Sequence, residues 1–110
     1  MTGLSVLLLI TTATNGGEAV DFNQHVRPIL AANCFLCHGP DPSSRKADLR
    51  LDLREDAMRA LTPGNPDASE LIRRITAHGA DRMPPEEREP LSETEVDVLR
   101  RWIEQGAPWD

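Results

Sequence analysis

The run Cys34-Phe35-Leu36-Cys37-His38 constrains this chain more than any other five residues, because it sets two thiols one helical turn apart with an imidazole directly after the second. Thiols at that spacing can add to the two vinyl groups of a haem, and the adjoining imidazole then lies beneath the iron as its proximal ligand. The pattern points to one covalently held haem c, with Cys34 and Cys37 as attachment sites and His38 as an iron ligand. Two other chemistries use the same residue types. A redox-active dithiol usually accompanies a βαβ pattern, and the sequence shows none. A zinc site would take Cys34, Cys37 and His38 with His25 or His78 as a fourth ligand. Adjacent Cys and His residues, however, do not easily reach two tetrahedral positions on one ion, and no second CxxC or HxxxH pair is present.

A chain of 110 residues makes one small domain, and only Phe22, Phe35, Trp102 and Trp109 are aromatic. Such a domain buries a limited core and often needs a staple. The large apolar face of a porphyrin would provide one. The formal net charge of -6 argues against nucleic acid and anionic membrane surfaces as partners. Glu86, Glu87, Glu89, Glu93, Glu95 and Asp97 are offset in their stretch only by Arg88. They read as a solvated face, with a docking surface for a basic redox partner as the alternative.

The N-terminus carries an apolar run from Leu4 to Ile10, interrupted by Ser5, and the small residues Gly17 and Ala19 flank Glu18. This predicts a signal peptide over residues 1–19 and a domain over 20–110, although a basic leading segment is missing. The run is far short of the roughly 20 residues that a membrane span needs.

Downstream, the periodicity predicts an all-α protein of about four short helices joined by Pro/Gly-rich loops. Asp21 or Asn23 can cap a first helix bearing Val26, Ile29, Leu30 and Cys34 along one side, and Pro28 confines its regular part to start near Arg27. Leu49 to Leu53 alternates like a strand but stands alone, so it reads as an extended stretch whose leucines cover the core. Glu55 to Leu61 is a short helical segment. Pro66 to Thr76 reads as one helix capped by Asn65, burying Leu71, Ile72 and Ile75. The last helix has a capping box in Ser92 and Glu95, a hydrophobic staple in Leu91 and Val96, and a stop at Gly106 and Pro108. Its apolar stripe is Val96, Leu99, Trp102 and Ile103.

His38 leaves a sixth iron position to be filled. Met83 in Asp81-Arg82-Met83-Pro84-Pro85 offers a thioether in a loop stiffened by two prolines, which lowers the entropy lost in holding a flexible side chain on iron. A thioether favours ferrous iron and raises the potential relative to two imidazoles. A methionine between helices can also be packing filler. His78, five residues earlier, or an open site are the alternatives, and Met58 sits in a helical segment instead. Arg45, Lys46 and Arg50 are candidate partners for the propionates.

Taken in order, Phe22-x-x-x-Val26-Arg27-Pro28-Ile29-Leu30, Cys34-x-x-Cys37-His38-Gly39-Pro40-Asp41, Leu49-Arg50-Leu51-Asp52, Pro63-Gly64-Asn65-Pro66, Arg82-Met83-Pro84-Pro85 and Trp102-Ile103-x-x-Gly106-Ala107 resemble the planctomycete-type cytochrome c domain over residues 21 to 110. The resemblance implies a small class I-like cytochrome c fold with thioethers at Cys34 and Cys37, His38 as proximal ligand and Met83 as distal ligand. It also implies haem attachment outside the cytoplasmic membrane, hence an exported, periplasmic or cell-envelope protein. Modules of this family commonly begin longer exported proteins, so a further domain of a longer protein is one expected partner. Two departures stand out: Ala47-Asp48 replaces a common Gly-Gly, which predicts an altered turn, and the connection from Arg59 to Pro63 is short.

These features predict an electron carrier or relay domain that works with redox partner proteins and is not an enzyme. The alternatives are a peroxidase-like haem enzyme with an open sixth position, and a module in which haem serves a structural or interaction role.

Overall fold

The computed structural model describes residues 19–109. The expected signal peptide therefore lies, apart from Ala19, outside the described residues. Four helices organise the rest: α1 (Arg27–Asn33), α2 (Arg54–Ala57), α3 (Glu70–Ile75) and α4 (Glu93–Glu104), with no strand among the described residues. The protein is all-α, and none of its described helices is long and apolar enough to cross a membrane.

Asp21 caps the chain's entry, its carboxylate accepting from the Gln24 amide at 2.7 Å. One wide π-helical turn, Phe22–Val26, leads into α1, which starts at Arg27 with Pro28 in its first turn. Proline is harmless there because the amide it lacks would have had no helical partner. At the other end of the domain α4 carries both halves of the expected capping box: the Glu95 amide donates to Ser92 Oγ at 3.1 Å and the Ser92 amide to Glu95 Oε1 at 2.9 Å. It ends in a Schellman motif, in which the Ala107 amide reaches back to the Trp102 carbonyl and Gly106 to that of Ile103, both at 2.9 Å. Gly106 takes φ 99°, a left-handed conformation that a β-carbon disfavours.

The core forms where α4 crosses the entry turn. Val26, Leu99, Trp102 and Ile103 have no exposed surface, and Leu30 almost none. Phe22 stacks on Trp109 with ring centroids 4.1 Å apart, and Trp102 lies 5.8 Å from Phe22 and 5.9 Å from Trp109. Three of the four aromatic residues thus tie the first turn of the domain to its last residues. Val20 adds an amide hydrogen bond to Gln105 Oε1.

The segment Pro66 to Thr76 is not the single helix that its sequence predicts. A 3-10 turn, Pro66–Ala68, stops at Ser69, which is extended (φ -89°, ψ 127°) before α3 begins. Asn65 does cap the turn, its side chain accepting from the Ala68 amide. The break follows from burying Ser69: its hydroxyl accepts from the Thr62 amide at 2.8 Å and donates to the Asn65 carbonyl at 3.1 Å. A buried hydroxyl needs such partners, and they compete successfully with helix continuity. The leucines of the 49–53 stretch also divide: Leu51 is buried, Leu49 half-buried, and Leu53 is 45% exposed.

Ala47 and Asp48 have φ 54° and 51°, and the Leu49 amide closes their turn onto the Lys46 carbonyl at 3.1 Å. This is the arrangement of a type I′ turn, which demands positive φ at both central residues and is normally filled by Gly or Asn. The departure from Gly-Gly leaves a glycine-type turn in place, at a cost of about 1 kcal/mol per residue forced into the left-handed region. Ala47→Gly is accordingly expected to stabilise the domain by about 1 kcal/mol, raising the thermal midpoint by roughly 4–8 °C. A lowered midpoint would contradict the left-handed turn.

Candidate functional site

The end of α1 delivers the Cys-His run. Cys34 terminates the helix with its amide on the Leu30 carbonyl at 2.7 Å, and the next turn closes through the His38 amide on the Cys34 carbonyl at 2.8 Å. Cys34, Cys37 and His38 therefore sit on one α-like turn, and both cysteines are free thiols. Cys34 packs against the core, and that burial pushes its thiol up to about 12, against the downward pull of the Arg88 guanidinium. A thiol held protonated at neutral pH is the opposite of a dithiol nucleophile, whose pKa must be depressed to work. Among the described residues no three His, Cys, Asp or Glu side chains are grouped to hold a metal ion.

His38 is bracketed by the stretch that reads as an isolated strand. Its Nδ1 lies 3.3 Å from the Leu49 carbonyl, and its own carbonyl accepts from the Leu51 amide at 2.7 Å. A carbonyl can only accept, so this contact favours the neutral tautomer that donates from Nδ1 and keeps the lone pair on Nε2. A backbone carbonyl on the far nitrogen is the usual means by which a metal-binding imidazole is fixed in tautomer and orientation. The bracket is itself secured: Arg50 pairs through two hydrogen bonds with Asp52, at 3.1 and 2.6 Å, and its amide donates to Asp56 at 2.5 Å. These donors hold both aspartates below the usual carboxylate range. Arg50, Asp52 and the two backbone contacts account for the whole Leu49-Arg50-Leu51-Asp52 run.

Gly39 explains how the bracket comes so close. A β-carbon there would run into the backbone carbonyl of Phe35, so only glycine lets the chain double back directly after His38. Arg45 then holds that reversal, its guanidinium donating to the Gly39 carbonyl at 3.0 Å and the Pro40 carbonyl at 3.1 Å. Arg45 and Arg50 line an open cleft together with Arg54 and Arg59, whereas Lys46 is not part of it.

Met83 stands on a separate loop that follows the 3-10 turn Gly79–Asp81. Its amide donates to the Arg74 carbonyl at 3.0 Å, at the end of α3, and the Met83-Pro84 peptide is cis. The loop is tied to α1 through Arg88, which donates to the Ala32 carbonyl, two residues before Cys34, at 3.4 Å. Met83 is half-buried, yet the half-buried apolar side chains packed on the core include Met58 and not Met83. His78 is exposed and caps nothing. His25 accepts from the Asp21 amide through Nδ1 at 2.9 Å, a local cap far from this chemistry in role.

Sequence reasoning misses the Leu49 carbonyl, which as a backbone atom has no residue signature. It also passes over Gly39 as a loop breaker and Arg82 as a neighbour of Met83, although a glycine directly after a ligating histidine is a sign of close backbone approach.

Comparison with known proteins bears on the same residues. No curated protein and no solved structure matches the chain. Residues 34–87, from the first cysteine of the Cys-His turn through the Met83 loop, match the family model described as Planctomycete cytochrome C. The all-α fold, the paired free thiols and the bracketed histidine agree with that match, and the chain carries a haem-binding cytochrome c domain of the planctomycete type.

Proposed function

We propose that this domain is a one-electron carrier or relay, with one haem c joined to Cys34 and Cys37 and its iron held between His38 and Met83. The observation that carries the reading is the commitment of His38 Nδ1 to the Leu49 carbonyl, which leaves Nε2 as a donor on the same turn as two free thiols. Bound there, haem would supply a centre that stores and passes one electron. The protein's residues do the rest. The Nδ1 hydrogen bond strengthens His38 as a donor and fixes its ring. A Met83 thioether on the iron would favour the ferrous form and raise the potential. Cys34 and Cys37 would keep the cofactor in place through both oxidation states.

Residues 1–19 are proposed to direct export, leaving residues 20–110 as a periplasmic or cell-envelope domain that meets redox partner proteins. A further domain of a longer protein fits this reading as the recipient of the electron. Expression in a periplasm equipped for haem maturation is expected to yield protein heavier by one haem under denaturing conditions. Cys34→Ala with Cys37→Ala is expected to abolish that covalent mass. A wild-type product without bound haem would overturn the proposal.

A further inference from the structure

Pro84 and Pro85 have no amide hydrogens, so the loop after Met83 is short of backbone donors; its one backbone closure is the Arg88 amide on the Pro85 carbonyl at 2.8 Å. One side chain supplies the further donors. The Arg82 guanidinium donates through Nε to the Pro84 carbonyl at 3.1 Å, and through Nη2 to the Pro85 carbonyl at 3.1 Å and the Arg88 carbonyl at 2.6 Å. Neighbouring arginines behave differently: Arg73 and Arg74 both pair with Glu70, at 2.8 Å, and both reach Asp81 at 3.8 Å. Arg82, adjacent to Asp81 in sequence, instead spends its planar fork on the backbone of its own loop. A guanidinium suits this because its donors are fixed in one plane and can serve several acceptors at once, which an ammonium on a flexible stem does less well.

The consequence falls on Met83. Its backbone is pinned on one side by the hydrogen bond its amide donates to the Arg74 carbonyl and on the other by the three carbonyls gathered by Arg82. The gathered loop also contains Arg88, the residue that ties it to α1. We propose that Arg82 is the positioning residue of the sixth-ligand loop, holding Met83 presented so that an outside ligand cannot easily displace it. This rests on the reading of Met83 as the axial ligand. Without the clasp, Met83 would have to be ordered anew each time it bound, and a competitor would gain what the thioether loses.

The test is imidazole binding to the oxidised, haem-loaded protein, read together with the weak far-red absorption band of thioether-bound ferric haem. Arg82→Ala is expected to bind imidazole about tenfold more tightly than the wild type and to weaken the band. Arg82→Lys should move both in the same direction but less far, and it decides the matter if Arg82→Ala is not recovered loaded. Ser92→Ala, which removes a cap from α4, serves as the control for destabilisation alone and should leave imidazole affinity unchanged. Met83→Ala separates the two readings. If Met83→Ala binds imidazole more tightly while the Arg82 variants bind like the wild type, the Arg82 assignment is overturned and the axis survives. If Met83→Ala itself retains the band and the wild-type affinity, the axis is wrong and the assignment falls with it.

Discussion

Trp102→Ala is expected to remove about 3–5 kcal/mol from the unfolding free energy of the haem-loaded domain, read as a lowered denaturant midpoint with little change in slope. The indole has no exposed surface, it lies within 6 Å of both Phe22 and Trp109 by ring centroid, and its Nε1 donates to the Pro108 carbonyl at 2.7 Å. Truncation would open a cavity, break the ring cluster that joins the two ends of the domain, and orphan a carbonyl. For a domain whose whole stability is on the order of 5–15 kcal/mol, this is a large fraction. A loss below about 1 kcal/mol would mean that the haem and not this cluster carries the fold.

Gly39→Ala is expected to cost about 3 kcal/mol and to disturb the iron site as well. The added methyl meets the Phe35 carbonyl, which is main chain within the Cys-His turn and cannot rotate aside as a flexible side chain would. Overpacking of this kind typically costs about 1–3 kcal/mol, and the rigid partner puts this position at the upper end. Relief requires the backbone to shift at residue 39, next to the His38 carbonyl that accepts from Leu51. The loaded variant should therefore show both a lowered unfolding midpoint and an altered haem spectrum. A lowered midpoint with an unchanged spectrum would separate the turn from the positioning of His38.

The elements that the sequence makes legible are those closed by residues a few positions apart. Asp21 at the entry turn, the Ser92-Glu95 capping box and the Gly106 stop each satisfy orphan amides or carbonyls locally, and Pro28 marks the start of α1 by lacking an amide that would have been orphaned, so spacing alone reveals them. The identity of the Cys-His turn is equally local. What sequence did not reveal depends on tertiary contacts. Ser69 breaks a helix because its hydroxyl is buried against the Thr62 to Asn65 turn, and nothing in Pro66 to Thr76 itself encodes that burial. The stretch at Leu49 looks like a lone strand because the partner of its backbone is a histidine side chain and carbonyl eleven positions away. Arg82 resembles any solvent-facing arginine until its guanidinium is seen to gather the Pro84, Pro85 and Arg88 carbonyls.

The proposed His38/Met83 axis would have one consequence that neither a haem enzyme with an open sixth position nor a structural haem module requires: both iron positions outside the porphyrin would be taken by the protein. The most direct test is to mix the reduced, haem-loaded wild-type protein with carbon monoxide and follow the absorption spectrum. The account predicts that the spectrum stays that of the six-coordinate ferrous protein through mixing. An immediate conversion to the carbon monoxide complex would contradict it.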